Sequence, residues 1–186
     1  MKVGPRVQLV LIAAIFALPI VASVIAYLFV RPAPTANYGE LLLPPALVTD
    51  IRFDRQGGGS LSLRELAGQW ILVTSDSGAC PPPCIDKLLT LRQVRLALGR
   101  NASRVERVFV VDDGLAPGPD ALAPFEGTVV ASMPRGLALP HGAAGDRSHI
   151  YLVDPHGNVM MRWPGEPDPK RMLRDLELLL KASQIG

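Results

Sequence analysis

The sequence lacks a cluster of basic residues, an internal repeat and any cysteine apart from Cys80 and Cys84. Its 19 basic and 17 acidic side chains nearly balance, and Lys2 and Arg6 account for the excess. Binding to nucleic acid calls for a clustered basic face, so we expect no nucleic-acid partner. Two cysteines in an exported domain are compatible with a disulfide, a metal site, or both in turn.

The hydrophobic residues are concentrated near the N-terminus. The run 7–30 carries no charge and is long enough to cross a hydrocarbon core of roughly 30 Å. Lys2 and Arg6 precede it, which places residues 1–6 in the cytoplasm and the rest of the chain outside. A cleaved signal peptide ending near Ala26 is the alternative, but the run exceeds the roughly 7–15 apolar residues of such a peptide. We therefore predict a retained, single-pass transmembrane anchor at 7–30.

Residues 31–50 are predicted to be a proline-rich tether, since four prolines stiffen them toward an extended form. The segment Leu41–Pro45 is too apolar for a free linker, and we expect it to lie on the domain or at the membrane surface. Residues 51–186 then form the folded domain.

The pattern within 51–186 predicts an alternation of strands and helices. The predicted elements are a hairpin at 51–63, a buried strand at 70–74, a helix from Pro83 or Cys84 to about Gly99, a strand at 105–111, a short helix at 120–125, a short strand at 128–131, strands at 148–153 and 159–163, and a final helix capped by Asp168. A helix between two strands implies a parallel pair, and the last hairpin adds antiparallel strands. This order is that of an α/β, thioredoxin-like mixed sheet flanked by helices. The charged Lys87, Arg92 and Arg95 are expected on the solvated face of the first of these helices.

Cys80 and Cys84 lie where a strand passes into a helix. Free backbone N–H groups and the positive end of the helix dipole favour a thiolate there. In a helical geometry their Cα atoms would be roughly 6 Å apart, within disulfide range, and the three intervening prolines lower the entropy lost on ring closure. The pair is therefore predicted to oxidise reversibly, with Cys80 as the exposed nucleophile and Cys84 as its partly buried partner.

The same two thiolates, with a third ligand, would suit Cu(I). We favour His149 as that ligand because it begins a strand whose end converges on the cysteine loop; the alternative is a polar residue bonded at the strand edge. The weaker candidates are His141, His156, Asp76, Met133, Met160 and Met161. For Asp76 and Asp86, which flank the cysteines, local hydrogen bonding is favoured over a role in proton transfer.

Two other chemistries are disfavoured by the spacing. Ser77 to Cys80 matches a peroxidatic S/T-x-x-C, but Val73 stands where the accompanying proline would be. The C-x-x-C spacing of common disulfide exchangers is also absent, because one more residue intervenes. A peroxidase would consume peroxide at Cys80 with turnover.

Five phrases of the sequence resemble a known family: GQWILVTSDSGACPPPC, KLLTLRQVRLALGR, RVERVFVVDD, SHIYLVDPHGNVMMRWP and the terminal KASQIG. They are similar to small membrane-anchored proteobacterial proteins of the Sco/SenC-related group, thioredoxin-like copper proteins associated with cytochrome c oxidase assembly. In that group Cys-x-x-x-Cys and a distant histidine bind copper. Cys80 and Cys84 meet the spacing. The histidine position, five residues before the tyrosine of the Tyr-Leu strand, is Asp146 here, and His149 lies two residues before Tyr151.

The resemblance implies a periplasmic domain on the bacterial inner membrane whose partners are cytochrome c oxidase subunits or other assembly factors. Our first hypothesis is a thiol-redox or copper-handling factor that acts through Cys80 and Cys84, with Cu(I) as the ion and His149 as third ligand. As an enzyme it would be a thiol–disulfide oxidoreductase. The second hypothesis is a non-catalytic interaction module in which a Cys80–Cys84 disulfide only braces a loop.

Overall fold

The structure, a computed structural model, describes residues 4–29, 37–48, 52–55, 59–133, 142 and 146–183. The chain divides into two compact units, Met1–Ala36 and Asn37–Gly186. The first unit contains helix α1, Pro5–Phe29, which includes Pro19. Its segment Pro5–Ala26 is long and apolar enough to cross a membrane. The predicted apolar helix is confirmed, and it begins two residues earlier than the run of uncharged residues suggested.

The second unit contains an eight-stranded mixed sheet. Its strands are β1 (Glu40–Leu47), β2 (Arg52–Arg55), β3 (Ser60–Ser62), β4 (Trp70–Asp76), β5 (Val105–Val111), β6 (Thr128–Ser132), β7 (His149–Val153) and β8 (Asn158–Pro164). Their order across the sheet is β1-β8-β7-β4-β5-β6-β2-β3. Among its described residues, the α-helices of this unit are α2 (Pro82–Ala97), the short α3 (Pro119–Leu122) and α4 (Pro169–Ala182).

Strand β4 lies at the centre of the sheet, and every one of its residues is buried. It pairs in parallel with β5 and antiparallel with β7, while β7 and β8 form an antiparallel hairpin. The continuous apolar run at 70–74 is therefore what a strand covered on both faces requires. The predicted thioredoxin-like mixed sheet is confirmed.

Two apolar clusters cover the two faces of this sheet. On one face, residues of α2 and α4 such as Leu91 and Leu176 pack against Leu72 and Ile150. On the other face, Val73 and Tyr151 belong to a cluster that also receives side chains from β2 and the turn after β3. Successive residues of a strand point to opposite faces, so this alternation fixes which side chains reach α2.

Residues 40–47 correct the predicted tether, because they form the edge strand β1 and pair with β8. Proline is tolerated at a sheet edge, and the register is irregular between Leu41 and Ala46, around Pro44 and Pro45. Asp175 of α4 fixes the preceding residues: its carboxylate accepts the N–H groups of Tyr38 and Gly39. The apolar segment Leu41–Pro45 thus lies on the domain, as one of its two expected locations.

The residues at which α2 and α4 begin follow from the sequence of their first turns. Pro82 and Pro83 occupy the first turn of α2, where a missing N–H costs nothing. Asp168 accepts the N–H groups of Lys170 and Arg171 at the start of α4, as predicted. The position of Lys87 was predicted wrongly, since this side chain is buried with 3% exposure.

Candidate functional site

The candidate site lies at the carboxyl end of β4, where the chain turns into α2. The Cα atoms of Cys80 and Cys84 are 5.1 Å apart and the two sulfur atoms form a disulfide. Cys84 occupies the third position of α2, and its N–H donates to the carbonyl of Pro81. The predicted proximity of the two cysteines at a strand-to-helix junction is confirmed.

Both cysteines are more buried than the sequence suggested. Cys80 is 5% and Cys84 1% exposed, in a cluster with Leu88, Phe109 and Phe125. The prediction that Cys80 is an exposed residue is therefore wrong, although Cys80 remains the more accessible of the two. A partner thiol that reaches this disulfide would first meet the sulfur of Cys80.

Cys80 has a positive φ of 42°, in the left-handed region that residues with a side chain seldom adopt. Such a conformation costs roughly 1–3 kcal/mol and persists only where the surroundings impose it. It is the only described residue other than glycine with this property. The backbone at the more accessible sulfur is therefore strained, as is common at functional sites.

The turn that holds Cys80 is fixed by two aspartates. The Asp76 carboxylate accepts the N–H of Ser77, and Asp113 accepts the N–H groups of Gly78 and Leu115. Gly78 is required there, because a Cβ atom would lie 1.8 Å from the carbonyl oxygen of Leu115. The segment after β5 therefore packs directly against the cysteine turn, and local hydrogen bonding by Asp76 is confirmed.

Asp113 should make the cysteine turn sensitive to acid. A hydrogen bond from Ser77 is the largest influence on its carboxyl and, with the N–H groups of Gly78 and Leu115, lowers its pKa from 3.8 to about 2. Because the pKa is depressed in the folded state, this stabilisation is present above pH 3.8 and is lost as the pH falls toward 2. We expect Asp113→Asn to flatten the decline of the thermal unfolding midpoint across that range.

The matched control for this pH titration is Asp120→Asn, at an exposed aspartate outside the turn. Asp146 retains its own depressed pKa and should leave a residual slope in the Asp113 variant. An acid limb of unchanged steepness in Asp113→Asn would show that this carboxylate does not hold the turn.

Beneath the turn, Lys87 forms a buried ion pair with Asp76. The Lys87 Nζ–Asp76 Oδ2 distance is 2.6 Å, and the two side chains are 4% and 6% exposed. Lys87 Nζ also donates to the carbonyl oxygens of Ser75 and Arg147, at 3.0 and 2.8 Å. One ammonium group thus joins α2 to the end of β4 and to the segment before β7.

Arg147 extends this network from the carboxyl end of β4 to the segment that follows β5. Its guanidinium forms an ion pair with Asp112 and lies 3.5 Å from Asp113 and 3.9 Å from Asp76. The hydrogen bond to Asp112 is the largest influence on this group and raises the pKa of Arg147. Sequence reasoning missed Lys87 and Arg147; the Asp-Asp-Gly that follows β5 was the one local signal of a charged partner.

His149 begins β7, as predicted, and this start of β7 lies beside the carboxyl end of β4, at the same end of the strands as the cysteine turn. Its Nδ1 is 2.9 Å from Asp146 Oδ2, so it has the polar strand-edge contact that was the alternative to a ligand role. Tyr151, two residues further on, packs on the face opposite α2. Because side chains alternate, His149 belongs to that opposite face.

Asp146 occupies the position at which the Sco pattern has histidine. Burial raises the pKa of its carboxyl, but hydrogen bonds from Ser148 and His149 lower this pKa by a larger amount, and the net value is about 2. A carboxylate ionised over the working pH range is a hard oxygen ligand, whereas Cu(I) prefers sulfur and imidazole. This residue is therefore a poor replacement for the histidine of the Sco pattern.

A resident copper site fits these residues poorly. The cysteine sulfurs are joined to each other, and no group of three His, Cys, Asp or Glu side chains suited to a metal occurs within the residues that the structure describes. Of the weaker candidates, His141 lies outside the described residues and Met133 is buried in the cluster opposite α2. The metal role of Cys80, Cys84 and His149 stays a prediction.

A cavity of about 470 Å³ adjoins the cysteine turn. It is lined by Asp76, Pro81, Pro83, Lys87, Arg147, Ser148, Gly165 and Glu166. Pro81 and Pro83 lie between the two cysteines in the chain, so the cavity borders the turn that carries the disulfide.

The fold and the dicysteine turn define a thioredoxin-like protein with a disulfide at the β4–α2 junction. Residues 70–183 match the family described as "Transmembrane-like, thioredoxin-like, C-terminal domain", and the chain belongs to that family. No curated protein matches the sequence.

Solved structures of Sco proteins share this fold. Apo Sco1 from Thermus thermophilus is 19% identical, with a TM-score of 0.61 over 79% of this chain and 99% of its own. Bradyrhizobium japonicum ScoI with copper bound is 19% identical, with a TM-score of 0.54 over 72% and 99%. BsSco, reported with a disulfide switch as a member of the Sco family of cytochrome c oxidase assembly proteins, is 15% identical, with a TM-score of 0.56 over 77% and 99%. At these identities the likeness establishes the fold.

Proposed function

We propose that this protein is a membrane-anchored thiol–disulfide exchange factor that assists the maturation of cytochrome c oxidase. The observation that carries the proposal is the Cys80–Cys84 disulfide at the β4–α2 junction, closed across a backbone strained at Cys80. A pair that is oxidised in a strained turn and placed at a helix N-terminus is suited to exchange, because the helix dipole stabilises the thiolate that exchange produces.

The exchange transfers two electrons and two protons between the pair and a partner. In the reduced chain the Cys80 thiolate attacks a disulfide of the partner, and one partner sulfur leaves as a thiolate that takes up a proton. The Cys84 thiol then loses its proton and attacks Cys80 in the mixed disulfide, which releases the second partner thiol and forms Cys80–Cys84. A dithiol donor outside the membrane would reduce the pair again.

The proposed partner is a cysteine-containing copper site of the oxidase, or an assembly factor that loads it. The support is the sequence resemblance to the Sco/SenC-related group, the shared fold, and the description of BsSco as a member of a family of cytochrome c oxidase assembly proteins. The proposed location is the periplasmic side of a bacterial inner membrane, because Lys2 and Arg6 precede the uncharged run 7–30, most of which lies in the candidate transmembrane helix α1.

Deleting the gene that encodes this chain in its host organism tests the proposal. We expect cytochrome c oxidase activity in isolated membranes to fall while other respiratory activities persist, and the wild-type chain supplied in trans to restore it. Unchanged oxidase activity in the deletion strain would contradict the proposal.

Copper enters this proposal as cargo, because only the reduced pair offers two thiolates. If His149 completes the set, anaerobic titration of the reduced, full-length chain with Cu(I) should show one tight equivalent that is lost in His149→Ala. The matched control is His156→Ala, in the turn between β7 and β8 and exposed. Binding of equal affinity in wild type and His149→Ala would remove His149 from the ligand set.

A further inference from the structure

A second cavity lies at the opposite end of the sheet from the cysteine pair. It has a volume of about 450 Å³, within the range of small-ligand sites, and lies between the second half of α2 and the turn that precedes β6. Arg107, near the start of β5, lines it, whereas the cysteine turn adjoins the other end of β5, where the Asp112 N–H donates to the backbone carbonyl oxygen of Asp76. The two sites are therefore separate.

Arg107 is a buried cation without a full set of partners. The residue is 4% exposed, and only its Nη2 has a hydrogen bond, to the carbonyl oxygen of Glu126 at 2.7 Å. Its Nε and Nη1 have no partner among the described residues. Burial, and then the nearby charge of Arg95, lower the pKa of Arg107. Burying a guanidinium with two of its nitrogen atoms unpaired costs free energy of folding. An anion bound beside Arg107 would offset this cost.

The rest of the lining adds to this positive charge. Arg92 is exposed, and Arg95 is one-quarter exposed with its Nε bonded to the carbonyl of Val105. Two carboxylates partly offset the three arginines: Glu106 lies 3.6 Å from Arg95, and Glu126 is on the exposed rim. One positive charge is left over.

Gly127 leaves the approach to Arg107 open. A Cβ atom at this position would lie 3.3 Å from Arg107 Nη2, and the φ of 78° favours glycine in any case. The absence of a side chain at Gly127 therefore allows a ligand to reach the Arg107 guanidinium from the cavity.

We propose that this arginine cavity, formed around Arg92, Arg95 and Arg107, binds a phosphate-type oxoanion. Guanidinium groups match the geometry of such oxygens through paired N–H donors, and three arginines line this one cavity. Free phosphate and the phosphate of an anionic lipid headgroup offer the same chemistry.

Calorimetric titration of the full-length chain with inorganic phosphate tests this inference, in maltoside micelles at ionic strength held constant with chloride. We expect the wild type to bind phosphate saturably. Binding should be weakened roughly tenfold or more in Arg107→Leu and in Arg92→Gln, since each variant loses charged hydrogen bonds. Arg92 is exposed, so its variant remains informative if Arg107→Leu does not fold.

The matched control is Arg100→Gln, at an exposed arginine outside the cavity, which should bind phosphate like the wild type. Micelles doped with phosphatidylglycerol or phosphatidylcholine identify the source: competition by the anionic lipid alone assigns the site to a headgroup, and no competition assigns it to a free anion. Absence of saturable binding in the wild type would overturn the inference, and so would wild-type affinity for phosphate in both Arg92→Gln and Arg107→Leu.

Discussion

Replacing Cys84 by serine is expected to reduce cytochrome c oxidase activity to that of a strain without the chain, and to trap the partner. Cys80 keeps its thiol in this variant and can still attack a partner disulfide. The mixed disulfide then persists, because the resolving thiol is gone. The adduct should be visible on a non-reducing gel and disappear on addition of reductant.

Cys80→Ser is the matched control for this trap. It should lose maturation to the same extent, but it should form far less adduct because its remaining sulfur is 1% exposed. If the disulfide only braces a loop, both variants would instead mature the oxidase normally and lose about 2 kcal/mol of unfolding free energy, the chain-entropy contribution of so short a loop. Normal maturation in Cys84→Ser would therefore contradict the exchange proposal.

Replacing Lys87 by methionine is expected to cost about 3–5 kcal/mol in the free energy of unfolding. Methionine keeps much of the volume of lysine, so the loss is electrostatic. Asp76 would remain buried with its main charge partner removed, and the carbonyl oxygens of Ser75 and Arg147 would lose their shared donor. Chemical denaturation of the full-length chain in detergent, followed by tryptophan fluorescence, measures the effect.

Lys170→Met makes the same chemical change at an exposed position of α4, and we expect it to change the unfolding free energy by no more than about 0.5 kcal/mol. The double variant Asp76→Asn with Lys87→Met should recover part of the loss, because neither partner is then left as an unpaired charge. A cost below about 1 kcal/mol for Lys87→Met would show that the buried pair does not hold α2 to the sheet.

The elements that could be predicted from sequence are those whose patterns are local. The continuous apolar runs of β4 and β5 indicated buried strands, and the prolines before Cys84 fixed the start of α2 within one or two residues. The order of these elements was enough to give the mixed sheet and the position of the cysteine pair.

The features that escaped prediction depend on partners distant in the sequence. The helical pattern predicts a solvated lysine beside Leu88, whereas in the structure Asp76 and two backbone carbonyls surround its ammonium group. Strand β1 resembled a linker because Pro44 and Pro45 disfavour strands, and only its pairing with β8 at the edge of the sheet explains why they are tolerated. The face of His149 likewise followed only from the register of β7.

The most direct test of the exchange proposal is the reduction of Cys80–Cys84 in the folded, full-length chain. The chain is equilibrated in thiol buffers of graded potential, free thiols are alkylated, and the added mass is measured beside tryptophan fluorescence as a monitor of folding. We predict a single reversible transition in which both cysteines become alkylated at a potential above about −300 mV, while the fold persists. A pair that resists reduction until the domain unfolds would contradict the account, because such a disulfide is a brace and has no partner to exchange with.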